Sequence, residues 1–237
     1  MSTPTAQEPT RSRGSIATLT LISLNVGKPR IIGERLGEPV LSGIAKSPVG
    51  DSSLTVSTTN LEGDGQADLR AHGGPDKAIY AYPSEHLSAW SEELGEELGP
   101  GAFGENLTTA GLTEHDVYIG DFWSWGTAVL QVCQPRYPCY KLGIHRGRRD
   151  IIARFLDSAR SGWYLRVLQP GSASRTDAIA VPDRLPNPVS VHTTSRAILA
   201  GQATAAELES LIGLAPLAES WRRGLEDRLK VARNAGT

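Results

Sequence analysis

The stretch VYIGDFWSWGTAVLQVCQPRYPCYKLG, residues 117–143, decides the fold class of this sequence. Its first part contains two runs rich in aromatic and β-branched residues that meet at the turn residue Gly126, and such a pair of runs predicts a β-hairpin. Over the first 190 positions, glycine and proline interrupt the chain roughly every ten residues, which leaves little room for long helices. The sequence therefore predicts a mainly β fold of the sandwich or barrel type.

The predicted hairpin leads directly into Cys139, one of two cysteines in the chain. Pro135 and Pro138 fix their own φ angles and push the residues before them towards extended conformations, so the thiol is predicted to be held in one position. Arg136 and Lys141 would favour the thiolate, which is the form that attacks electrophiles and ligates metals. A free cysteine can also be a small buried hydrophobic residue, and these residues alone leave both interpretations open.

The second cysteine, Cys133, lies within an apparent strand and is predicted to be structural. The sequence has no CxxC, no HExxH and no clustered cysteine and histidine spacing, so a zinc site made by the protein alone is not expected. A lone thiolate can still be one ligand of a soft metal if a cofactor supplies the other ligands. The sequence also has neither a P-loop nor a Rossmann fingerprint.

Composition excludes several classes of protein. The chain has 237 residues, of which 39% are hydrophobic and 21% charged, as in a folded protein with one large domain and a small appendage. Its formal net charge of −2 argues against a general binder of nucleic-acid polymers. Residues 1–14 lack the apolar stretch of a signal peptide, and no apolar run reaches the length of about 18 residues that would cross a membrane. We therefore expect a cytoplasmic protein with no membrane partner.

The pattern along the chain predicts three parts. Residues 1–14 are expected to be a disordered tail, residues 15–188 a β-barrel domain, and residues 189–237 a small domain of three short helices. Prolines cluster between residues 182 and 188 and mark the boundary between the last two parts. Thr204, followed three residues later by Glu207, is a capping-box pattern that predicts the start of one of the three helices.

A helix is also predicted inside the β-rich part. Ser84 follows the short strand predicted at residues 78–82 and is positioned to cap this helix. Its expected apolar face consists of Leu87, Trp90 and Leu94.

A glycine-rich segment, LEGDGQADLRAHGGPDKAIYAYP, spans residues 61–83. Its Gly73 and Gly74 permit backbone conformations in which successive N–H groups form an anion-binding concavity, and Lys77 would add positive charge. A plain irregular loop is the alternative interpretation. His72 could be a general base, a phosphate partner or a structural histidine, and the segment alone does not decide among these roles.

Two further places carry polar residues beside turns. In GAFGENLTTAGL, residues 101–112, Glu105 and Asn106 follow a glycine, and the carboxamide of Asn106 offers both donors and an acceptor. Such a side chain could bind the edge of a heterocycle or cap a turn. In NVGKPR, Lys28 and Arg30 place two cations just after the first predicted strand.

Taken together and in this order, LEGDGQAD…HGGPDKAIYAYP, GAFGENLT, VYIGD and QPRYPCYKL resemble the MOSC-domain family, and within it the YiiM-type members. The resemblance runs from about residue 15 to residue 181, and the helical end resembles the three-helix domain that these members append. It implies a β-barrel that holds a molybdenum cofactor, whose metal is ligated by the dithiolene of a pterin and by one protein cysteine. It also implies reduction of N-hydroxylated compounds, for example hydroxylaminopurine-type bases, with electrons delivered by a separate reductase protein.

The resemblance makes Cys139 the expected metal ligand and catalytic residue, with His72 as a candidate proton donor. The residues expected to hold the cofactor are Lys28, Gly73, Gly74, Lys77, Glu105, Asn106, Gln134, Arg136 and Cys139. A rival hypothesis is a protein that carries the molybdenum cofactor or sulfur on Cys139. A cysteine hydrolase that uses Cys139 and His72 ranks last, because no orienting third group stands out. Whether the chain forms a homodimer is left open.

Overall fold

The computed structural model describes residues 17–69, 73–181, 188–199 and 203–235. The predicted N-terminal tail, His72 and most of the proline-rich boundary lie outside the described residues.

The centre of the molecule is a closed β-barrel of seven strands, which confirms the predicted fold class. Around the barrel, with strands numbered in chain order, the sequence of neighbours is β1 (Ala17–Val26), β7 (Leu107–Ala110), β6 (Ile79–Pro83), β10 (Trp163–Gln169), β9 (Ala128–Pro135), β8 (Phe122–Trp125) and β12 (Ile179–Val181). Strand β12 pairs with β1 and closes the ring. All neighbours are antiparallel except β6 and β7, which are parallel. Closure leaves these strands without an unpaired edge.

The remaining strands lie outside the ring. Strands β2 (Arg30–Arg35) and β3 (Glu38–Ser42) form a hairpin, β4 (Ser47–Pro48) pairs antiparallel with the end of β1, and β5 (Leu54–Val56) pairs with β11 (Gly171–Ala173). Strands β4 and β5 are only two and three residues long. The β2–β3 hairpin is not predicted, although its tip residues Leu36 and Gly37, with φ of 55° and 81°, adopt the positive φ angles of a tight hairpin turn.

Two hydrophobic clusters stabilise the fold. The first fills the barrel and includes the fully buried Trp123, Trp125 and Trp163. The second lies around β6, α1 (Glu85–Leu94), α2 (Tyr140–His145) and α3 (Ile151–Ser158), and it includes Trp90, Phe103 and Phe155. The predicted apolar face of α1 is confirmed, since Leu87, Trp90 and Leu94 are buried. Ser84 precedes this helix, but its side chain makes no capping hydrogen bond, because the residue itself has helical φ and ψ angles.

The C-terminal helices are α4 (Val191–Leu199), α5 (Ala205–Ile212) and α6 (Glu219–Ala235). The predicted capping box of Thr204 and Glu207 at the start of α5 is confirmed. These helices bury Leu217, Trp221 and Leu225 in the same cluster as the barrel residues, and the Ala218 N–H donates to the Cys133 carbonyl over 2.9 Å. The start of α6 therefore lies against the end of β9, beside the segment that leads to Cys139. Within the described ranges, no helix combines the length and the apolar character needed to cross a membrane.

Candidate functional site

Strand β9 delivers Cys139 to the site. The strand ends at Pro135, and Cys139 itself has an extended backbone (φ −124°, ψ 169°) immediately before α2, which the sequence did not predict. Its carbonyl accepts a hydrogen bond of 2.9 Å from the Leu142 N–H. The residue is half-buried, in contrast to Cys133, which is fully buried. Burial raises the pKa of Cys133 to about 12, so this second thiol stays protonated, as expected for a structural cysteine.

Cys139 lies in the wall of two cavities, which we name the first and the second cavity. The first has a volume of about 90 Å³, is open to solvent on one side, and lies between the barrel end and the loops around Gly43 and Gly65. The second lies between the barrel end and the helices α4 and α6. Four residues line both cavities, namely Lys77, Tyr137, Cys139 and Tyr164. Cys139 is thus accessible from both cavities.

The first cavity is cationic. Its lining includes four basic side chains, Lys46, Lys77, Arg136 and Lys141, and one carboxylate, that of Asp64. Burial lowers the pKa of Lys77, and the charges of Cys139 and Asp76 oppose this effect. Lys77 and Cys139 line the same cavity. This balance of charge suits an anionic ligand.

Arg136 is buried among aromatic rings. Its guanidinium carbon lies 4.7 Å from the centre of the Tyr80 ring and 5.4 Å from that of Phe155, and its Nη1 donates to the Tyr80 hydroxyl over 3.4 Å. Burial raises the pKa values of Tyr80 and Tyr164. These neighbours are consequently neutral phenols, so the positive charge of Arg136 can act on a ligand in the cavity.

Asp64 is the anchor of the opposite wall. It forms an ion pair with the buried Lys46, and it accepts hydrogen bonds from the Gly27 N–H over 2.8 Å and from Asn106 Nδ2 over 3.0 Å. Burial lowers the pKa of Lys46, while Asp64 opposes the shift. Asn106 Oδ1 in turn accepts from the Tyr80 N–H over 3.1 Å. The carboxamide of Asn106 thus connects β6 to the Asp64 loop at the edge of the first cavity.

Two glycines allow this wall to form. A Cβ added at Gly43 would lie 1.9 Å from the Gly65 carbonyl oxygen, and one added at Gly65 would lie 2.7 Å from Pro29 Cδ. Glycine at position 43 therefore allows the two loops to approach each other, and glycine at position 65 allows its loop to approach Pro29.

The other predicted site residues have different placements. Gly73 and Gly74 are not among the cavity lining; Gly74, with φ of 93°, begins the short helix Pro75–Lys77, and its carbonyl accepts from the Lys77 N–H over 3.1 Å. They therefore position Lys77. Glu105 is fully buried and accepts hydrogen bonds from the N–H groups of Gly101 and Phe103 over 2.6 and 3.1 Å, so it holds a turn.

Gln134 and Lys28 have opposite placements. Gln134 lines the second cavity, and its Nε2 donates to the Asp76 carbonyl over 2.7 Å. Lys28 is exposed and is not part of the lining of either cavity.

Sequence reasoning missed Lys46, Tyr80 and Tyr164, because single residues inside apolar runs carry no local signal of a cavity. Among the described residues, no group of three or more His, Cys, Asp or Glu side chains could hold a metal ion.

The chain is a closed barrel with a half-buried cysteine beside a cationic cavity, an arrangement suited to binding an anionic ligand. Comparison with known proteins identifies the family. The sequence model of the MOSC domain matches residues 68–185. The chain is 39% identical over 196 residues to protein YiiM of Escherichia coli, covering 81% of this chain and 85% of that protein. It belongs to the MOSC-domain family.

Two further relatives extend this comparison. The crystal structure of YiiM from Geobacillus stearothermophilus has a TM-score of 0.75 and 34% sequence identity, and the match covers 89% of this chain and 99% of that one. A protein of Gibberella moniliformis named "Reductase" is 34% identical over 167 residues, which cover 69% of this chain and 29% of that protein.

Proposed function

We propose that this protein is a molybdenum cofactor-dependent reductase of N-hydroxylated compounds that receives electrons from a separate reductase protein. The observation that carries the proposal is the position of Cys139 in the wall shared by the two cavities, next to the cationic lining of the first. The relative named "Reductase" supports an oxidoreductase activity. Since the matched segment is only 29% of that relative, the longer protein has sequence for which this chain has no counterpart.

The residues present fit the cofactor. A thiolate is a soft ligand suited to a metal that is otherwise bound by sulfur. The phosphate of a pterin cofactor needs cations, and the first cavity offers the buried guanidinium of Arg136, whose planar fork can bind two oxygens at once, together with Lys141. Lys46 contributes less charge because Asp64 pairs with it. We therefore place the anionic cofactor in the first cavity, and Lys28 outside its binding site.

When bound, the cofactor would supply the two-electron chemistry that converts an N–OH group, two electrons and two protons into N–H and water. The chain itself holds the thiol of Cys139 in place and positions the guanidinium of Arg136 between aromatic rings. Lys77 lines both cavities, and burial lowers its pKa, which makes its ammonium a better proton donor than an exposed lysine. We assign the delivery of a proton to Lys77. His72, the proton donor proposed from the sequence, lies outside the described residues and remains a second candidate.

The test is to produce the protein in a host that makes the cofactor, and to measure molybdenum per chain, the visible absorption spectrum and turnover of an N-hydroxylated compound with an artificial electron donor. We expect molybdenum equimolar with the chain and reduction of the compound. Transfer of molybdenum or sulfur to an apo-acceptor without turnover would instead identify a carrier protein.

A further inference from the structure

We infer that the second cavity receives the uncharged, ring-bearing part of the substrate, and that Gly224 in α6 sets the size of the group it accepts. This inference rests on the proposed function, which places the cofactor in the first cavity. It assigns to the C-terminal helices a direct part in substrate selection.

The two cavities differ in charge. The residues that line only the second cavity are all uncharged, and they are Gln134, Pro135, Ile198, Ser220, Trp221 and Gly224. An anionic cofactor would lose its hydration there without gaining a cationic partner, whereas an uncharged organic group is desolvated at little cost against such a wall. A substrate in the second cavity would bring its N–OH group to Cys139 and Lys77, which line both cavities.

Gly224 has no other structural explanation among the described contacts. It lies inside the 17-residue helix α6, where glycine is a poor helix former. An added Cβ would meet no described heavy atom within 4 Å, and the residue is not among the glycines with positive φ, so neither packing nor backbone geometry requires glycine there. Gly224 is exposed, and it lines the second cavity where this cavity opens to solvent. The missing side chain therefore keeps space open in that cavity.

Gln134 offers the second cavity a polar group of fixed orientation. Its Nε2 is held by the Asp76 carbonyl over 2.7 Å, and Asp76 is itself paired with Arg166 over 2.8 Å. Its Oε1 accepts from the Ser220 hydroxyl over 3.4 Å, which is long for a hydrogen bond from a hydroxyl. A substrate can replace this weak contact and gain a donor and an acceptor in return.

The experiment compares two N-hydroxylated probes that share a reacting group and differ in size, benzamidoxime with a phenyl ring and acetamidoxime with a methyl group. In Gly224→Leu holoenzyme we expect KM for benzamidoxime to rise at least about tenfold, while KM for acetamidoxime changes less than about twofold. Titration calorimetry should show the same loss of benzamidoxime affinity independently of turnover. Molybdenum content should equal that of the wild type. Gly224→Ala and Arg223→Leu serve as controls, since the first adds one methyl group and the second adds leucine at an exposed position outside the cavity lining.

Several results would overturn the inference. These are equal effects of Gly224→Leu on both probes, loss of molybdenum in that variant, or no binding of benzamidoxime to the wild-type protein by calorimetry. Failure of the proposed function has a different signature: wild-type protein with full molybdenum would reduce neither probe. In that case the calorimetric comparison of Gly224→Leu with the wild type still decides whether the second cavity binds the ring.

Discussion

The carboxamide of Asn106 donates a hydrogen bond of 3.0 Å to the carboxylate of Asp64 across 42 positions of sequence. This bond joins the segment before β7 to the loop that forms the far wall of the first cavity. Because Asp64 also pairs with Lys46, the cavity acquires one neutralised cation in addition to Arg136, Lys77 and Lys141. Asn106, which itself lines the first cavity, therefore holds the carboxylate that neutralises Lys46.

Removal of either partner of the Lys46–Asp64 pair is expected to destabilise the fold strongly. Asp64→Asn leaves a buried ammonium without its counter-charge, and Lys46→Met leaves a buried carboxylate, so each change should lower the free energy of unfolding by about 3–5 kcal/mol. The double variant should lose less than the sum of the two, since neither charge remains alone. Urea unfolding of the four proteins measures this coupling, and simple additivity would contradict it.

The two cysteines are expected to respond differently to the same substitution. Cys139→Ser should lower reductase activity by more than about 100-fold, because loss of a metal ligand should exceed the losses of about 10–100-fold typical of outer-shell partners. Cys133→Ser is the matched control, because a serine hydroxyl can make the hydrogen bond that the Cys133 thiol makes to the Asp76 carbonyl. Steady-state rates and molybdenum content are the measurements. Equal activity of Cys139→Ser and wild type would exclude the ligand role.

Cofactor retention is expected to depend on Arg136. A charge-assisted hydrogen bond is worth about 1.5–3 kcal/mol, so Arg136→Ala should lower molybdenum and pterin content about tenfold or more when cofactor is limiting. Arg136→Lys keeps the charge but not the planar fork and should retain an intermediate content. Arg160→Lys is the control, since Arg160 also stacks on an aromatic ring, that of Trp90 at 4.0 Å, without lining the first cavity. Circular dichroism checks the fold. Full cofactor content in a folded Arg136→Ala protein would show that the phosphate binds at another place.

Stability is expected to fall in mild acid. The rings of His115 and His192 stack with centres 3.8 Å apart. Burial lowers the pKa of His192 from its ordinary 6.5, His115 and Arg196 lower it further, and Glu114 opposes them. As pH falls below 6.5, the unfolded chain takes up a proton that the folded chain does not, so the free energy of unfolding decreases.

His192→Gln should therefore reduce the acid sensitivity. Urea midpoints at pH 8 and pH 5.5 provide the comparison. At pH 8 His192 is neutral in both the folded and the unfolded chain, so this pH serves as the baseline. Burial also lowers the pKa of His145. The His192→Gln variant should therefore still lose some stability in acid, but less than the wild type. An unchanged difference between the two pH values would show that His192 does not contribute.

Much of the barrel could be predicted from local sequence. The hairpin of β8 and β9, strands β1, β6 and β10, helix α1 and the three C-terminal helices all carry a period, a turn residue or a cap that acts within a few residues. The hairpin of β2 and β3 and the helix that begins after Cys139 were missed, because the first has a leucine in its turn and the second is only six residues long.

The sequence by itself determined the fold class, the family resemblance and the identity of Cys139 and Arg136 as site candidates, because each depends on residue types within short segments. Only the tertiary structure decided that Lys46, Tyr80 and Tyr164 join the site, that Lys28 and Glu105 lie apart from the cavities, and that α6 forms a wall of the second cavity. The reason is physical: ring closure of the barrel and burial of apolar surface bring together side chains that are far apart in the sequence, and no local pattern encodes which of them will meet.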